Sequence, residues 1–113
     1  MKFDEFKLGP PRGILSALGP TFLAALDGAP DYLTFRQLIV EANGGERGQF
    51  VKAARSYGGV CSGGERELLK AILHLVDFSH VADEMSGGEA YFQMTRCAGE
   101  FRRAFAACVI NAG

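Results

Sequence analysis

Apolar residues recur along this chain every three or four positions, the spacing that lines up one face of an α-helix. Gly-Gly and Gly-Pro breaks separate the stripes. The longest apolar run, Cys61 to Met85, opens at Ser62-Gly63-Gly64-Glu65 and predicts the central helix, 63–77. Leu68, Leu69, Ile72, Leu75 and Val76 cover one arc of it. At about 100° per residue, Phe78, Val81 and Met85 fall nearly opposite that arc. Either the helix is buried on two sides or it breaks there, and the reading favoured is a kink near Asp77-Phe78-Ser79, with Ser79 capping a short segment that runs to Met85.

Phe35, Leu38, Ile39 and Ala42 form a core-facing stripe over 35–43, and Thr34 with Gln37 is a capping-box pattern at its start. Asn43-Gly44-Gly45-Glu46 can end that helix and cap a second, 46–57, in which Phe50, Ala53, Ala54 and Tyr57 face inward. Ser62 with Glu65 and Ser86 with Glu89 are two further boxes. The last opens a helix over 88–110, where Tyr91, Met94, Cys97, Ala98, Phe101, Ala104, Phe105, Cys108 and Val109 share an arc. Ahead of these, 14–18 and 21–26 read as one kinked helix or two around Gly19-Pro20, and residues 1–9 as an apolar arm. No alternating run flanked by turn signals predicts a strand. The expectation is an all-α protein, a compact bundle of five to six helices in one domain spanning 1–113.

Composition supports a packed core: 113 residues, 48% hydrophobic, nine Phe. No apolar run approaches the roughly 20 residues of a bilayer helix, and Met1-Lys2-Phe3-Asp4-Glu5 lacks the apolar centre of a secretory signal. Cys61, Cys97 and Cys108 form no disulfide framework. Cys97 and Cys108 would share a helix face some 16 Å apart, too far to bridge. These features predict no membrane association and a cytoplasmic setting. The net charge of −1 gives no global field, so any charge argument is local.

Candidate chemistry is sparse. Ser62-Gly63-Gly64-Glu65-Arg66 resembles the signature motif of ABC-type ATPases. The chain lacks the phosphate loop and strands that such a site requires, and helix capping accounts for the tetrapeptide wherever it recurs. Asp77, His80 and Glu84 would project together from an unbroken helix and offer metal-ligand chemistry, but the predicted kink scatters them. His74 sits at the edge of the apolar arc. Cys61, before a helix N-terminus, is the one thiol off a core stripe, with no base placed beside it. No catalytic residue, metal or cofactor is assigned.

Two surfaces remain. Residues 71–89 hold Asp77, Asp83, Glu84 and Glu89 without Lys or Arg, an acidic patch suited to a basic partner. Arg36, Arg47, Lys52 and Arg55, with Arg66 and Lys70 further on, give a basic cluster, and helices 35–43 and 46–57 around a Gly-Gly turn loosely match a helix-turn-helix. By elimination the expected function is a small non-enzymatic protein that acts through its surface on a larger protein or complex. Bacterial or phage-borne inhibitors and accessory proteins have this size. The alternative is a nucleic-acid-binding regulator, and a homodimer is expected if the core leaves apolar side chains exposed.

Overall fold

The structure, a computed structural model, describes residues 1–61, 63–86 and 99–112, without the side chains of Met85 and Ser86. Every regular element among them is helical: α1 Phe3–Leu8, α2 Pro10–Leu18, α3 Pro20–Gly28, α4 Tyr32–Asn43, a 3-10 turn Gly45–Arg47, α5 Gln49–Gly58, α6 Gly63–Leu75, α7 Ser79–Ser86 and α8 Gly99–Asn111. The all-α expectation holds, with eight α-helices among the described residues rather than five or six. The extra ones come from the N-terminal third, where each break is complete. Pro10 and Pro20 occupy the first positions of α2 and α3, where a missing N–H is harmless. Between them Gly19 takes φ 149°, which a side chain rarely adopts, and α2 and α3 are therefore two helices.

The predicted arm is a docked helix. Phe3 and Phe6 of α1 are buried, with ring centroids 5.0 and 5.2 Å from Tyr32 in edge-on geometry. Tyr32 donates its hydroxyl to the Met1 carbonyl at 2.9 Å, and Lys7 Nζ donates to the carbonyls of Asp27 and Ala29 at the end of α3.

Helix α4 begins earlier than Thr34. Asp31 is its cap, accepting from the Thr34 N–H at 2.7 Å, so Thr34 is the residue capped and not the capping one. At the other end Asn43 does what the Asn-Gly-Gly-Glu pattern predicts, by a longer reach. Its buried Oδ1 accepts from the N–H groups of Phe50 and Val51 at 3.0 and 3.2 Å, capping α5 from the last residue of α4. Gly44, Gly45 and Gly48 turn the chain through left-handed geometry between the two, which moves the start of α5 from 46 to 49.

Helix α6 is enclosed. Leu68, Leu69, Ile72, Leu73 and Leu75 are buried, and so are Glu67 and Lys70, the latter placed by the sequence in the basic cluster. It packs most extensively on α8 and α7, and also on α2 and α5. The predicted kink lies where the stripe swings. Asp77 takes φ 73°, its N–H bonds the His74 carbonyl at 3.3 Å, and the Phe78 N–H bonds the Leu73 carbonyl at 2.7 Å. This is a Schellman motif with aspartate where glycine is usual.

In α8 the residues Ala104, Phe105, Ala107 and Cys108 are buried, while Val109, expected inside, is 38% exposed at the edge of a narrower face. The earlier part of the predicted 88–110 helix, with Cys97 and the Ser86–Glu89 box, lies outside the described residues or side chains. One core cluster takes in residues from Phe3 to Cys108, and the radius of gyration is 12.4 Å. No helix among the described residues is long and apolar enough to cross a membrane.

Candidate interaction surface

Of the acidic set, Asp77 lies in the turn between α6 and α7 and Asp83 and Glu84 lie on α7, where two of the carboxylates approach basic side chains of the chain itself. Glu84 Oε2 accepts from Arg55 at 2.8 Å, and Asp83 lies 3.8 Å from His74 Nε2. Asp77, in the turn, is exposed and in no ion pair of the described residues. Glu89 lies outside the described residues. Here Coulomb attraction is weakened by solvent, since Arg55 and Glu84 are each more than half exposed.

The basic cluster fares differently. Arg47, Lys52 and Arg55 are exposed and Arg36 half-buried. Arg36, Arg47 and Lys52 have no ion pair among the described residues, but Arg55 is bound to Glu84. The acidic and basic surfaces, expected to be separate, therefore meet where α5 touches α7. Lys70 must be removed from the basic set. Its side chain is 2% exposed, and Nζ pairs at 2.9 Å with Glu67 Oε1, itself fully buried. Glu67 Oε2 has no hydrogen-bond partner among the described residues.

The metal-ligand stripe does not assemble. Glu84 is held by Arg55, the turn at Asp77 separates the helical runs, and no group of three His, Cys, Asp or Glu residues could hold an ion among the described residues. Around Cys61 the environment opposes a thiolate. Partial burial, then the Glu65 carboxylate, pushes its thiol up, outweighing a backbone hydrogen bond and Arg66. Glu65 accepts from the Tyr57 hydroxyl at 2.6 Å, and burial together with that carboxylate raises the phenol as well. Of the ATPase-like pentapeptide, Gly63, Gly64 and Glu65 form the first turn of α6, and Ser62 lies outside the described residues. Tyr32 is pushed up to about 12, chiefly by burial.

Two features went unread in the sequence. One is the Glu67–Lys70 pair, visible only as an i, i+3 opposite-charge pair within an apolar run. The other is the outer face of α4, where Leu33 and Val40, seven residues apart, stand 54% and 44% exposed. A groove of about 570 Å³ lies beside it, lined by Thr21, Ala24, Gly28, Leu38 and Glu41 among others. The chain matches no family model, no curated protein and no solved structure.

Proposed function

We propose that this chain is a non-enzymatic binding protein acting through the α6–α7 corner on a basic surface of a larger protein, as an inhibitor or accessory subunit. The observation that carries this is Asp77. It keeps a left-handed backbone where glycine would be free of strain, and it presents an exposed carboxylate in no ion pair of the described residues. Strain of this kind tends to persist where a side chain serves function. The test exploits that geometry, because Asp77→Gly suits the turn while deleting the charge. The immobilised wild-type chain is expected to retain a basic protein from an extract of its source cells, and Asp77→Gly to lose it with helix content unchanged. Equal retention by both chains would remove Asp77 from the contact and the reading with it.

A second reading, binding to nucleic acid, is favoured by Arg36, Arg47 and Lys52 having no ion pair among the described residues. It requires salt-dependent binding to duplex DNA that Arg47→Glu with Lys52→Glu abolishes. No binding at low salt would eliminate it.

A further inference from the structure

The solvent side of α4 repeats the pattern of a helix built to meet another helix. Leu33 and Val40 stand one heptad apart and exposed, Gln37 is exposed between them, Arg36 is half-buried on one flank and Glu41 exposed on the other. In heptad notation these are d, d, a, g and e. The inward face of the same helix, through Phe35 and Ile39, is already used by the core. Neither Arg36 nor Glu41 has an ion pair among the described residues.

We propose that this face is a homodimer contact in which the α4 helices of two copies lie side by side and parallel as a short coiled coil. Charge complementarity selects both the occupant and its direction. In a parallel two-fold pair a g residue meets the e residue of the next heptad on the other helix. Arg36 of each copy then faces Glu41 of the other, giving two reciprocal ion pairs around Leu33 and Val40. An antiparallel pair sets g against g and e against e, so that Arg36 faces Arg36 and Glu41 faces Glu41. Gln37 at the central a position pairs with its own equivalent and fixes the register, the role polar residues play at such sites. The seam ends at Asn43, after which Gly44 turns the chain away. With fewer than two heptads in contact the dimer is weak, with a dissociation constant on the order of 10–100 μM.

Sedimentation equilibrium of the whole chain from roughly 10 μM to 1 mM tests this. The wild type is expected to shift from monomer toward dimer mass, and Leu33→Asp to stay monomeric. Arg36→Glu and Glu41→Arg each set like charges across the pair and are expected to weaken association about tenfold or more. Mixed in equal amounts, the two variants present opposite charges at both contacts and are expected to associate at least as well as wild type. Circular dichroism confirms that each variant keeps its helices. A wild type that stays monomeric at about 1 mM overturns the proposal and leaves the face to another protein. So does a dimer indifferent to Leu33→Asp, or a mixture that fails to associate.

Discussion

Asn43 and Asp77 show how much of this fold rests on single side chains at helix ends. Asn43 spends its amide oxygen on two N–H groups of another helix, in a buried position where water cannot replace it. Asn43→Ala is expected to lower stability by about 1–2 kcal/mol, read from the urea midpoint. Asp77 bears the opposite relation to its site: the backbone there favours glycine, so Asp77→Val is expected to cost about 1–2 kcal/mol while Asp77→Gly keeps or raises the midpoint. The sequence announced both places. Asn43-Gly44-Gly45 is a turn signal whatever follows it, and the stripe reversed at Asp77. What it could not announce was reach. Asn43 caps a helix start several residues on, and Asp31 caps α4 where Thr34 fitted the local pattern as well. Caps are chosen by which side chain the tertiary path brings to the free N–H groups, and short-range pattern cannot see that path.

At the scale of elements, periodicity locates the helices whose faces divide cleanly into wet and dry, and it describes only one arc of α6, which has no wet face along most of its length. Lys70 belongs to the basic cluster in the sequence because charged residues are almost always at the surface, yet it is buried together with Glu67. Burial of the pair makes a different demand. Lys70→Met alone leaves the Glu67 carboxylate enclosed without its counter-charge and is expected to destabilise by about 3–5 kcal/mol. Glu67→Leu with Lys70→Met is expected to recover most of that loss. Chemical denaturation of the single and double variants reads the difference directly. The candidate sites differ for the same reason: Lys70 is buried against Glu67, and Arg55 pairs with Glu84 where α5 touches α7. Long-range pairing of this sort is invisible in one dimension. Leu33 and Val40 are legible in principle, as the apolar residues of α4 that fall off its core-facing stripe.

Over the whole molecule, exposed ion pairs tie helices both consecutive and distant in sequence. Arg12 grips Asp27 between α2 and α3, and Arg103 joins Glu5 of α1 to α8. Arg12 holds Asp27 below the ordinary carboxyl value of 3.8, Arg103 holds Glu5 below 4.5, and the Thr34 N–H lowers Asp31. A carboxyl depressed in the folded state stabilises fully above its unfolded value and loses that contribution as pH falls through the folded one. The melting temperature is therefore expected to hold from neutrality to about pH 5 and to fall below about pH 4. Replacing Arg12 and Arg103 by Ala should flatten that acid limb.

The enclosure of α6 also decides which amines of the chain chemistry can reach. Of the four lysines in the sequence, Lys2 and Lys52 stand in solvent and Lys7 is half-covered with its ammonium on two carbonyls, while Lys70 is sealed. An acylating reagent or a lysine-modifying enzyme acting on the folded chain therefore meets Lys2 and Lys52 first and Lys70 only after α6 has been uncovered. Acylation at Lys70 is thus a mark that the molecule has opened.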